Sequence, residues 1–108
     1  MFGFTKRDTQ CGPITIRLIQ AKARIDTRDK WCKGMERHWD GKSYCSIGAI
    51  AGPNNNKDDK YHKAKGYLSR AMPFNMQIEY FNDFPLTTHG MVMRRFNKAI
   101  RKAKRDGV

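Results

Sequence analysis

The placement of four prolines constrains this fold more than any other feature: Pro13, Pro53, Pro73 and Pro85. Proline has no backbone N–H and a fixed φ, so it fits the first turn of a helix and breaks a helix interior. Gly12-Pro13 therefore opens a helix, Gly52-Pro53 closes one, Pro73 ends another, and Pro85 stops whatever precedes it. The chain is cut into short pieces, and each must bury its apolar face against the others.

Most pieces carry helical spacing. Ile14, Leu18, Ala21 and Ile25 recur every three or four residues and predict a helix over about 13–25. Ser43 reads as the N-cap of a short helix, about 44–51, that contains Tyr44, Ile47 and Ile50. Within it Gly48 and Ala49 are small enough for another backbone to approach. Asn54, Asn55 and Asn56 form a polar loop, with Asn56 as a cap and Asp58 and Asp59 in the first turn beyond it. Tyr61, Ala64, Leu68 and Ala71 then predict a helix over about 57–72. Residues 75–84 fit two patterns. Met76, Ile78 and Tyr80 alternate like a strand, whereas Met76, Tyr80 and Phe84 fit a helix, and a short helix is the reading taken. Thr87 or Thr88 caps the last helix, which runs to about residue 105.

Residues 26–42 are irregular. Asp40-Gly41 is a turn signal, and a hairpin turn where strands flank it, so a short β-hairpin is expected near 29–42. Trp31 and Trp39 are large enough to anchor this stretch on the core. The expected fold is thus mostly α: a single small domain of about four helices over 13–106, with the possible hairpin and an N-terminal arm over 1–12. A chain of 108 residues can bury roughly 65% of its unfolded surface. The 39% apolar content supports a folded core rather than disorder.

No apolar run approaches a membrane span, and Met1 to Gln10 lack the apolar stretch of a signal peptide. Cys11, Cys32 and Cys45 are odd in number and unpaired in spacing, which points to free thiols in a reducing compartment. The cytoplasm is the expected location, that of a bacterial host if the chain is phage-encoded.

The net charge is +12, which favours a polyanion or an acidic partner. Its densest concentration is in the last helix. Val92, Phe96, Ala99, Ile100 and Ala103 form one stripe, while Arg94, Arg95, Lys98, Arg101, Lys102, Lys104 and Arg105 follow one another with no acid among them. Cations in the last turn gain about 0.3–1 kcal/mol each from the helix dipole. Arg94, Arg95 and Lys98 sit too early for that. The like-charge pairs Arg94–Lys98, Lys98–Lys102 and Arg101–Arg105 each cost roughly 0.2–0.5 kcal/mol. Selection for stability alone would interleave Glu. Arg94, Arg95, Lys98, Arg101, Lys102 and Arg105 are therefore the expected contacts for nucleic-acid phosphates, or else for an acidic host protein. No base-reading motif accompanies them.

A secondary basic group lies around the tryptophans: Trp31, Lys33, Arg37 and Trp39. Aromatics beside cations can stack bases, although core packing is the commoner use of tryptophan. No metal site is expected, because Cys32, His38, Cys45 and His62 show neither Cys-x-x-Cys nor His-x3–5-His spacing. No catalytic residue or cofactor is expected either. A thiol–imidazole pair built on Cys45 with His38 or His62 is the weakest reading, since it needs a depressed thiol pKa and nothing places the groups together. Asn82 and Asp83 precede Pro85 and a helix start, where turn and cap hydrogen bonds are the usual role.

The order Trp31-Cys32-x-Gly34, Asp40-Gly41, Cys45-Ser46-Ile47-Gly48-Ala49-Ile50, Phe81-Asn82-Asp83 and a Thr-capped last helix with Ala99-Ile100 resembles a small domain family of unknown function found in bacteria and bacteriophages. Two positions depart from its pattern. Tyr44 stands where Trp precedes the second Cys, and Met91 stands where a Glu follows the capping Thr by three residues. The resemblance implies a compact, mostly helical domain and no activity. The expected protein is a small, basic, non-enzymatic phage or bacterial accessory protein.

Overall fold

A computed structural model describes residues 11–108. Except for Cys11 and Gly12, the expected N-terminal arm lies outside the described residues. Five α-helices follow: α1 (Pro13–Arg24), α2 (Ser46–Ala51), α3 (Asp59–Arg70), α4 (Ile78–Asp83) and α5 (His89–Arg105), with single 3-10 turns at Arg28–Lys30 and Pro73–Asn75. The short helix chosen for the ambiguous stretch 75–84 is α4.

α1 is the central element and packs against α2, α3 and α5. Its Leu18 and Ala21, and Ile25 at its C-cap, are completely buried. α5 presents Val92, Phe96, Ala99 and Ala103 to them, and Phe96 is the largest fully buried side chain. Each such large apolar side chain stabilises the fold by about 1.5–3 kcal/mol. Two cations of α1 are structural. Arg17 donates from Nε to the Ile50 carbonyl (2.8 Å) and from Nη1 to Asp58 (3.0 Å), and Arg24 donates to the Ala49 carbonyl (2.7 Å). Both guanidiniums thereby satisfy carbonyls at the C-terminal end of α2, which have no helical partner.

Two caps depart from expectation and a third, Thr88, falls on an expected residue. α2 starts after Cys45, not Ser43, and the Cys45 thiol accepts from Gly48 N at 3.4 Å. The earlier residues Ser43 and Tyr44 are held extended by Trp31 and Arg37. α3 is capped by Asp58 rather than Asn56, because its carboxylate accepts from Tyr61 N at 2.9 Å while Arg17 holds its position. Thr88 caps α5. Its hydroxyl accepts from Met91 N (3.2 Å), and Met91 Sδ accepts from Thr88 N (3.4 Å). A thioether thus takes the place of the Glu that usually completes a capping box.

The expected hairpin is absent, and no strand forms among the described residues. Tyr44 makes two isolated bridges, parallel to Trp31 and antiparallel to Arg37. One extended residue is sandwiched between two chain segments, so no ladder can lengthen. The Asp40-Gly41 turn does form, with Gly41 at φ 75° and its N–H bonded to the His38 carbonyl at 2.8 Å. Trp39 is not an anchor: it is 87% exposed. Gly48 has the close backbone approach its size predicted. A Cβ there would lie 1.7 Å from the Glu36 carbonyl oxygen, which accepts from Cys45 N.

The cap at Asp58 carries a pH dependence. The Tyr61 N–H first, and the Arg17 guanidinium after it, hold its carboxyl below the usual Asp range. The Lys42 N–H does the same for Asp40, and the Thr27 hydroxyl for Asp29. A carboxyl whose folded pKa is depressed stabilises above its unfolded pKa of about 3.9, and that stability is lost as pH falls through the folded value. The thermal midpoint should therefore hold steady from pH 7 to about pH 5 and decline below about pH 4. The decline should be shallower in Asp58→Ala, and an unchanged acid profile in that variant would remove Asp58 from this account.

Candidate functional site

α5 carries seven cations and no acid. Arg94, Lys98, Arg101, Lys104 and Arg105 are exposed and Lys102 is half-buried. Lys98, Arg101, Lys102, Lys104 and Arg105 surround one shallow concavity. None of them forms an ion pair among the described residues; the pairs join Arg17–Asp58, Lys30–Asp26, His38–Asp40, Lys57–Glu36 and Lys63–Asp59. The acid nearest in sequence, Asp106, accepts from the Tyr67 hydroxyl instead. The like-charge repulsion along the helix therefore stands uncompensated by ion pairing.

Arg95 does not belong with them. It is half-buried, donates from Nη1 to the Ala71 carbonyl (3.2 Å) and lies 5.9 Å from the Phe81 ring centre. Its Nε is buried without a partner. At about 100° per residue, Arg95 falls beside the core stripe of α5, on the side that faces α3. Arg95 fastens the end of α3 to the middle of α5.

α5 is held at both ends. Near its start, His89 Nε2 donates to the Ile25 carbonyl at 2.6 Å. Beyond its last turn, the Val108 carbonyl accepts from Ile14 N (2.8 Å) and Thr15 N (3.3 Å), two of the free N–H groups that open α1.

The secondary basic group does not assemble into a face. Lys33 donates to the Phe84 carbonyl (2.6 Å) and sits 5.4 Å from the Trp31 ring centre. Arg37 donates to the Pro53 and Gly41 carbonyls (3.1 and 3.3 Å) and lies over Tyr44. Both cations brace the irregular segment. Trp31 is half-buried and hydrogen-bonded inward, whereas Trp39 stands in solvent with its ring edge to His38.

Asn82 explains most of the motif residues. Its side chain is buried, and Oδ1 accepts from Trp31 Nε1 (2.7 Å), Ser46 N (3.0 Å) and Ser46 Oγ (2.8 Å). Nδ2 donates to the Cys32 carbonyl (3.1 Å) and to Asp83 Oδ1 (2.9 Å), and that same carboxylate oxygen accepts from Gly34 N (2.9 Å). Trp31, Cys32, Gly34, Ser46, Asn82 and Asp83 thus form one network that joins the irregular segment, α2 and α4. Cys45 lies beside it, and burial pushes its thiol up to about 11. A thiol that stays protonated at neutral pH is the opposite of an activated nucleophile.

One side chain was not anticipated. Phe74 is 94% exposed and occupies the left-handed backbone region at φ 56°, as does Asn75. Left-handed backbone costs a non-glycine residue on the order of 1–3 kcal/mol. Sequence offers only the Pro73-Phe74-Asn75 turn as a signal, and a turn does not say which way its ring points.

Among the described residues, no helix is long and apolar enough to cross a membrane. A family model described as a family of unknown function (DUF6197) matches residues 13–102. Neither a curated protein nor a solved structure matches the chain.

Proposed function

We propose that this chain, which belongs to the family of unknown function DUF6197, is a small non-enzymatic accessory protein, of a phage or a bacterium, that binds nucleic acid through its phosphates. One observation carries the reading: α5 holds seven cations and no acid, and six of those cations face outward without an ion pair among the described residues. The contacts are Arg94, Lys98, Arg101, Lys102, Lys104 and Arg105, with Arg95 positioning the helix they stand on.

The mechanism is counterion release. Each phosphate met by a fixed cation frees a condensed counterion, and the entropy gained drives association. No base-reading motif accompanies the ridge, so no sequence specificity is assigned to it. Arg17 and Arg24 take no part, since both are committed to α2.

The test is a salt titration of duplex DNA binding. With about six phosphate contacts, log K should fall with log salt at a slope near −5, which is roughly a thousandfold between 50 and 200 mM. An absence of binding to DNA and RNA at low salt sinks the proposal. Capture of an acidic host protein that survives nuclease treatment, in that circumstance, would assign the ridge to a protein partner instead.

A further inference from the structure

We infer that the nucleic acid held on α5 is single-stranded, and that an unpaired base stacks on Phe74. This rests on the phosphate-binding reading above and adds the class of ligand to it.

Phe74 is placed for that use. Its backbone is held in the left-handed region by a 3-10 turn, in which Met76 N donates to the Pro73 carbonyl at 3.0 Å, and the ring stands almost wholly in solvent. The corner that carries Phe74 is fastened to α5, because Arg95 bonds the Ala71 carbonyl at 3.2 Å. Phe74 is the third residue after Ala71, so the two Cα atoms lie within about 11 Å of each other. Going round α5 from Arg95, away from the core, Lys98 lies at about 60° and Arg94 at about 100°. Arg95 thus joins the corner that carries Phe74 to the side of α5 that leads into the cationic ridge.

Among the described residues, the other well-exposed aromatics are poorer platforms. Tyr80 shares its surface with Glu79 and Asp83, which repel phosphate. Trp39 is bonded to His38 and stands next to Asp40. An aromatic ring beside a basic track is the usual arrangement for strands without sequence preference, since every base has a π-face. A duplex hides those faces by stacking its own bases, so it can use the ridge but not the ring.

The test compares fluorescein-labelled oligothymidylate and oligouridylate with a duplex of equal length, using the full chain and two variants. Phe74→Ala should weaken binding to one or both oligonucleotides about 5- to 150-fold and change duplex binding less than about twofold. Phe74→Trp should retain binding, and its indole fluorescence should be quenched by the bound strand. Phe74→Gly should keep or raise the thermal midpoint, because glycine accepts the left-handed backbone. Equal losses for duplex and single strand in Phe74→Ala, or no loss for either, overturn this inference and leave the phosphate-binding reading standing. Failure of every nucleic acid to bind the wild-type chain removes both. Binding of polyglutamate that is lost as strongly in Phe74→Ala would assign the ring to an acidic polypeptide and overturn the inference as well.

Discussion

Asn82→Ala should lower the thermal midpoint by roughly 12–40 °C. The Asn82 carbonyl oxygen accepts three hydrogen bonds, two of them from Ser46 in the interior. Its removal strands those donors together with the Cys32 carbonyl, and each stranded buried polar group costs about 1–3 kcal/mol. A total of about 3–5 kcal/mol is a large part of the stability expected for a domain of this size. Each kcal/mol shifts the midpoint by about 4–8 °C in small domains. Ser46→Ala removes one donor and leaves Asn82 with its other partners, so its loss should be a fraction of the Asn82 effect. A midpoint within about 4 °C of wild type in Asn82→Ala, read by circular dichroism, would mean that the network adds little to the fold.

The triple variant Lys98→Glu/Arg101→Gln/Arg105→Glu should abolish nucleic-acid binding while keeping the fold. Three lost phosphate contacts alone weaken association about 500-fold at 0.1 M salt, and two new carboxylates repel what remains. The same changes replace the like-charge pairs Arg94–Lys98 and Lys98–Lys102 with opposite-charge pairs, each favourable by about 0.2–0.5 kcal/mol. The thermal midpoint should stay level or rise. Binding that persists in the triple variant with a salt slope near −5 would place the contact surface somewhere other than α5.

Helix positions were legible because prolines and apolar spacing report local physics. α1, α3 and α5 are long enough for a repeating stripe, and Phe96 and Leu18 fell inside as that stripe requires. The N-cap of α2 lies two residues beyond the expected one, since Ser43 and Cys45 are both competent caps and tertiary pairing of Tyr44 decided between them. The hairpin near 29–42 failed for a related reason. A turn at Asp40-Gly41 can be read locally, but whether strands flank it depends on what Tyr44 pairs with. Trp39 and Arg95 illustrate the limit for sites: hydrophobicity put the tryptophan inside and charge put the arginine outside, whereas Trp39 stands in solvent against His38 and Arg95 is drawn inward by the Ala71 carbonyl, distant in sequence. Asn82 looked like a turn residue. That it gathers five hydrogen bonds from three segments follows only from their meeting in space.

The clamps on α5 bear on how a ligand would be held. With its first turn tied to Ile25 and the chain just past its last turn tied to Ile14 and Thr15, the helix has little freedom to fray, and the intervals between its cations are set before anything arrives. Binding then asks almost no loss of backbone freedom from the protein, which leaves more of the electrostatic gain as affinity. α5 acts as a stiff ruler, and the adjustment falls to the strand laid along it.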